Sequence, residues 1–115
     1  MTFGAGQILV TASLVAVLTA AVAWWRLPHR VWLDIVVVAV IAGTAVFLWR
    51  ISANKPQLND DGLPGFSAND WAAPILAYIG LAVYADLRPP ANPTRYRQVQ
   101  ALTFLIALVI NVVTI

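Results

Sequence analysis

The stretch from Ile8 to Trp25 reads ILVTASLVAVLTAAVAWW and contains no ionisable side chain. At about 1.5 Å per residue, a helix of this length covers most of the roughly 30 Å hydrocarbon core of a bilayer. Residues 1–7 carry no charged side chain and the basic residues follow the stretch, which is not the pattern of a cleavable signal peptide. We therefore predict that this stretch is a retained transmembrane helix.

Three further stretches have the same apolar character. The second runs from Val31 to Trp49, the third from Trp71 to Leu87, and the fourth from Val99 to Ile115. The segments between them are rich in Pro, Gly, Asn and Asp, which break helices and form turns. The second stretch is rich in β-branched residues, but a backbone in lipid must satisfy its own hydrogen bonds, which favours a helix. The sequence therefore predicts an all-α integral membrane protein, with residues 1–115 forming one small up-down bundle of four transmembrane helices.

The composition agrees with this class. Of 115 residues, 61% are hydrophobic and 10% are charged, whereas a typical soluble domain is about 45–50% apolar and about 25% charged. A disordered chain is excluded, because such chains are polar and rich in charge. The absence of Cys excludes disulfides, a thiolate nucleophile and Cys-ligated metals. A net charge of +2 is too small to indicate a nucleic-acid partner.

The basic residues predict an orientation. Five of the seven lie in the connectors 26–30 and 88–98, whereas the loop 50–70 holds two of them beside three Asp residues. By the positive-inside rule, both connectors are cytoplasmic, and the loop and both termini lie outside. Trp and Tyr residues cluster near both predicted membrane faces, as expected for interfacial aromatic belts. The membrane that we expect is the bacterial inner (plasma) membrane.

Two carboxylates and several arginines share the predicted cytoplasmic level. Asp34 lies in the first turn of the second span, where the helix dipole favours an anion, and four residues after Arg30. Asp86 lies at the carboxyl end of the third span, where the dipole disfavours an anion and a cation is needed. We predict an ion-pair network that ties the helix ends together, with a contact for lipid headgroups or a partner as the alternative. Its members are Arg26, Arg30, Asp34, Asp86, Arg88, Arg95 and Arg97.

Two other polar residues are candidates for a specific role. His29, in the first connector, is a possible ligand for a haem iron or a pigment magnesium, although a lone interfacial His is more often simply solvated. Apart from that possible contact, no cofactor and no metal site is predicted. Asn111 lies in the fourth span, and amides inside membranes usually bond to another helix. We predict such an interhelical hydrogen bond for it.

Small residues recur at every fourth position on three spans. Such faces allow helices to approach closely, and they fit either a tight bundle or a docking surface. The residues that form them are Ala12, Ala16 and Ala20, then Ala39 and Gly43, then Ala73 and Ala77.

These observations lead to three hypotheses of function. The first is a small accessory or structural subunit of a larger membrane complex, with an energy-transducing (respiratory or photosynthetic) complex as a candidate host and with lipids and other membrane subunits as partners. The alternative is a small homo-oligomeric transporter or channel, although the middle of each span lacks the ionisable residue that proton coupling needs. An enzyme acting on lipids through Asp34 or Asp86 comes last, because the sequence offers no catalytic motif, and we expect no enzymatic activity.

The orientation is testable by cysteine labelling, since the natural chain has no Cys. We expect Asn59→Cys to react with a membrane-impermeant maleimide added to intact cells, because loop 50–70 is predicted to lie outside. Asn92→Cys should react only after the cells are opened. The reverse pattern would overturn the predicted orientation.

Overall fold

The computed structural model of the chain is helical throughout the parts that it describes, apart from short turns at the helix ends. These parts are residues 4–27, 32–52, 68–90 and 92–114, without the side chains of residues 68–70. Within them the chain forms four α-helices, which confirms the predicted all-α class. The helices are α1 (Ala5–Arg26), α2 (Trp32–Ser52), α3 (Ala68–Leu87) and α4 (Pro93–Thr114).

Three of these helices are long and apolar enough to cross a membrane, namely α1, α2 and α4. The apolar part of α3, Trp71–Leu87, is shorter than the other three. This supports a membrane protein with three helices of transmembrane length, and α3 is not among them. Pro74 lies within α3. There it lies in the second turn of the helix and removes one backbone donor.

The helix α4 begins at Pro93, six residues before the predicted fourth span. The reason is a capping signal, because the Asn92 Oδ1 atom accepts a hydrogen bond from the backbone N–H of Arg95 at 3.1 Å. Proline suits the first helical position, where its missing N–H would have no helical partner. Arg95 and Arg97 therefore belong to α4 and not to the connector in which the sequence prediction placed them.

The helices form a closed ring, with α1 packed on α2 and α4, and α3 packed on the same two neighbours. The bundle measures 43 × 21 × 21 Å. Apolar side chains make up most of its centre, in two buried clusters. One consists of Ala12, Val15, Ala42, Val46, Ala73, Ala77 and Ala107, and the other of Ala23, Leu27, Ile35, Val38, Leu81, Tyr96 and Val99.

Small residues hold α1 and α2 at close range. A methyl group added at Gly43 would lie 2.9 Å from the Ala16 Cβ atom and 3.2 Å from the Ala12 carbonyl oxygen. Ala73 and Ala77 of α3 are also fully buried. Of the two uses that the small-residue faces suggested, these residues serve packing inside the bundle.

This close contact predicts that Gly43→Ala destabilises the bundle. The added methyl has no room against backbone and Cβ atoms, and overpacking of this kind costs about 1–3 kcal/mol. The free energy of unfolding in mixed detergent micelles, followed by circular dichroism, measures the effect. Gly6→Ala is the control, because nothing lies within 4 Å of its added methyl. Equal stabilities for the two variants would contradict the packing account.

Candidate functional site

Polar contacts concentrate at one end of the bundle, which we call the arginine end. Here α1 and α3 finish and α2 and α4 begin, because consecutive helices run in opposite directions. The arginines that the structure describes at this end are Arg26, Arg88, Arg95 and Arg97.

The Asp34 carboxylate links the start of α2 to the end of α3. Its Oδ1 atom accepts a hydrogen bond from the Tyr84 hydroxyl at 2.5 Å and lies 3.2 Å from the Arg88 Nε atom. Tyr84 and Arg88 are four residues apart on consecutive turns, so both reach the same carboxylate. The Asp34 side chain is 13% exposed, and its position in the first turn of α2 adds the favourable helix dipole. Arg30, the local partner that the sequence suggested, lies outside the described residues.

A second set of contacts joins the end of α1 to the start of α4. The Arg26 guanidinium donates a hydrogen bond to the Gln98 Oε1 atom and lies 5.0 Å from the ring centroid of Trp25. The Arg95 guanidinium donates to the backbone carbonyl of Arg26 at 3.4 Å. Both hydrogen bonds are exposed to solvent, so each contributes little to stability by itself.

A third set joins α4 to α3 and was not anticipated from the sequence. The buried Tyr96 hydroxyl donates to the Leu81 carbonyl at 2.6 Å, and the Gln100 Nε2 atom donates to the Tyr78 carbonyl at 3.0 Å. The helix-capping signal at Asn92 predicts that these residues share a face. A helix that begins there places Tyr96 and Gln100 on one side, four residues apart.

Asp86 and Arg97 lie at the same end but do not enter these contacts. Both side chains are exposed, and within the described parts of the chain neither has a hydrogen bond or an ion pair. The structure therefore brings together Arg26, Asp34, Arg88 and Arg95 in two clusters, and leaves Asp86 and Arg97 on the outer surface.

The polar contacts of Asn111 lie near the opposite end. Its Nδ2 atom donates to the Ala107 carbonyl of the same helix at 2.7 Å, whereas the sequence predicted a bond to another helix. Its Oδ1 atom is buried and has no partner among the described residues. The link between α1 and α4 at this end is made instead by the hydroxyls of Thr11 and Thr114, which are 2.7 Å apart. Gln7 adds a hydrogen bond to the Thr114 carbonyl at 3.0 Å.

Two other residues from the sequence analysis are His29 and Arg50. His29, the predicted pigment or haem ligand, lies outside the described residues. Arg50, which the sequence assigned to the outer loop, lies in the last turn of α2 and is 1% exposed. A cation suits that position, because the carboxyl end of a helix carries partial negative charge.

The arrangement at the arginine end fixes helix ends relative to one another. The Asp34 Oδ1 atom contacts Tyr84 and Arg88, Arg95 and Tyr96 donate to backbone carbonyls, and Arg26 donates to Gln98. Among the described residues, no group of three or more His, Cys, Asp or Glu side chains is placed to hold a metal ion.

Comparison of the chain with models of known protein families, with curated proteins and with solved structures found no match.

The two tyrosine contacts predict a measurable loss of stability on removal of the hydroxyl. Tyr84→Phe deletes the donor to Asp34 and Tyr96→Phe deletes the donor to Leu81, so each should lower the free energy of unfolding by about 1 kcal/mol. Tyr78→Phe is a matched control, since the Tyr78 hydroxyl has no hydrogen bond within the described residues. If all three variants unfolded alike, the hydroxyl contacts would contribute nothing to the bundle.

Proposed function

We propose that the protein is a small accessory subunit of a larger membrane complex, where it contributes packing and lipid contacts and no catalysis. One observation carries this proposal. The centre of the bundle is packed mainly by apolar side chains, and polar groups near its ends bond the helices to one another. Such a bundle is a closely packed unit with an apolar outer surface.

The filled centre favours this role over that of a transporter. Conduction requires a polar path or a water-filled cavity at membrane depth, normally marked by ionisable or amide side chains that face it. Near mid-bundle, most inward-facing positions are apolar, namely Val15, Ala42, Val46, Ala77 and Ala107. The buried hydroxyls of Thr19 and Thr103 lie among them, but two hydroxyls do not form a continuous polar path.

The outer surface supplies the faces that a subunit needs. All four helices expose large apolar side chains, among them Val17, Val40, Val83 and Val109. Shallow grooves of 260–410 Å³ run between each pair of adjacent helices. Helix association in membranes depends on such shape complementarity, because lipid is as apolar as the side chains themselves.

A homo-oligomeric transporter or channel is the second candidate, and one groove favours it. The groove between α1 and α2 has a volume of 320 Å³ and is lined in part by the exposed residues Ser13 and Thr44. A path formed between copies of the chain would use hydroxyls on an outer face. The subunit proposal remains first, because the other three grooves are mainly apolar.

The setting that we propose is the bacterial inner membrane, with the arginine end in the cytoplasm. The distribution of the basic residues supports this orientation. An energy-transducing complex, respiratory or photosynthetic, is the host class that we favour, and its one support in the chain is His29 as a candidate ligand of a pigment or haem.

Site-specific photo-crosslinking in cells tests the role directly. The photoreactive residue p-benzoylphenylalanine replaces, one at a time, Val17, Val40, Val83 and Val109, which place one exposed valine on each helix. A subunit should give crosslinks from one or two of these faces to a different membrane protein of fixed mass. Val38 is fully buried and serves as the control position, where we expect crosslinks within the chain only.

The other outcomes separate the two candidates. Crosslinks that join only copies of this chain would overturn the subunit proposal and favour the homo-oligomer. Adducts with lipid alone at all four positions would contradict both proposals, because each requires a protein neighbour in the membrane.

A further inference from the structure

The groove between α3 and α4 differs from the other three in the charged residues that lie near its arginine end. Its walls are Ile75 and Tyr78 on one side and Ala101, Phe104 and Leu105 on the other, around a volume of 410 Å³. The Tyr78 and Phe104 rings meet edge to face, with centroids 6.4 Å apart at 88°. This contact holds the two aromatic rings that line the groove in a fixed arrangement. Its lining is apolar, and volumes of about 300–1,000 Å³ are typical of small-molecule sites.

Arg97 stands at the arginine end of this groove. It precedes Ala101 by four residues and Phe104 by seven, so it shares their face of α4. At about 1.5 Å per residue its Cα lies about 6 Å beyond that of Ala101 and about 6 Å inside the start of the helix. An arginine at this depth reaches the level of lipid phosphates by extending its side chain towards water. The guanidinium is exposed and makes no hydrogen bond or ion pair within the described residues.

Asp86 supplies a negative charge on the facing helix. It follows Ile75 by eleven residues, about three helical turns, so the two share a face of α3. The hydrogen bond between Tyr96 and Leu81 sets the register of the two helices. Asp86 lies five residues beyond Leu81, about 7 Å nearer to the arginine end. Its carboxylate therefore lies farther out along the bundle than the start of the Arg97 side chain.

We propose that this groove binds a zwitterionic phospholipid with an ethanolamine headgroup. One acyl chain lies against Ile75, Phe104 and Leu105, the phosphate pairs with Arg97, and the ammonium group pairs with Asp86. A guanidinium binds a phosphate through two parallel hydrogen bonds, and an ammonium group donates hydrogen bonds to a carboxylate. The site does not depend on the proposed function, because it is complete within one copy of the chain.

The groups along the bundle select this occupant. Beyond the apolar groove, at the arginine end, lie a cation on α4 and an anion on α3, which are the complements of a phosphate and an ammonium group. A helix of a partner protein matches the trough but leaves both charges without a partner at the membrane surface. A phosphatidylglycerol places the same phosphate at Arg97 but ends in a neutral glycerol, which leaves the Asp86 carboxylate without a cation.

Lipid titration followed by native mass spectrometry of the detergent-purified protein tests the site. The probes are dioleoyl phosphatidylethanolamine and dioleoyl phosphatidylglycerol, which have the same chains and different headgroups. We expect one tightly retained ethanolamine lipid and weaker retention of the glycerol lipid. Arg97→Gln should weaken retention of the ethanolamine lipid about tenfold, because it deletes a charge-assisted hydrogen-bonded pair. Asp86→Asn should remove the preference between the two lipids.

Matched controls separate headgroup recognition from changes in fold or net charge. Arg95→Gln makes the same charge change on another face of α4 and should retain the lipid as the natural protein does. Ala101→Trp fills the groove and should abolish retention of both lipids, whereas Ala21→Trp on the exposed face of α1 should not. Circular dichroism and melting temperature establish that each variant is folded.

Three results would overturn the proposal. Equal retention of both lipids by the natural protein would remove the zwitterionic assignment. If Arg97→Gln retained the lipid unchanged while Ala101→Trp lost it, the groove would bind the acyl chain without recognising the headgroup. Retention by folded Ala101→Trp would place the lipid elsewhere on the protein.

Discussion

In lipid, apolar side chains gain little by moving from the membrane into a protein interior, and this constraint decides what holds these four helices together. Cohesion must come from close packing and from polar contacts between helices. The approach of Gly43 to Ala16 and Ala12 is a close packing feature of the bundle. Because these contacts involve backbone and Cβ atoms, the spacing of α1 and α2 depends on them directly.

Each pair of neighbouring helices has its own link. The pair α1 and α2 is joined by small-residue packing at Gly43, and α2 is joined to α3 by Asp34. Tyr96 joins α3 to α4, and α1 is joined to α4 at both ends, through Arg26 and through Thr11. When every pair of neighbouring helices is linked, the helices stay together even though apolar side chains gain little by moving from lipid into the interior. This rigidity is what a packing role in a larger assembly requires.

The sequence predicts the helices well and their contacts poorly, for a physical reason. Four apolar runs predict four helices, and the missed start of α4 was available in the Asn92–Pro93 capping signal. The partner of Asp34 was not available, because helical spacing points to Arg30, whereas Arg88 is distant in sequence and reaches Asp34 only through the packing of α3 on α2. Helical periodicity fixes which residues share a face. It does not fix which face of one helix meets another.

We propose that this bundle is a rigid part of a larger membrane complex. The most direct measurement is the mass of the native particle after gentle extraction in a mild detergent, recorded together with its visible absorption spectrum. We expect a particle several times heavier than one 12.5 kDa chain, with other membrane proteins in fixed proportion. Haem or pigment bands in that particle would support an energy-transducing host. A small, colourless particle containing only this chain would contradict a role as a subunit.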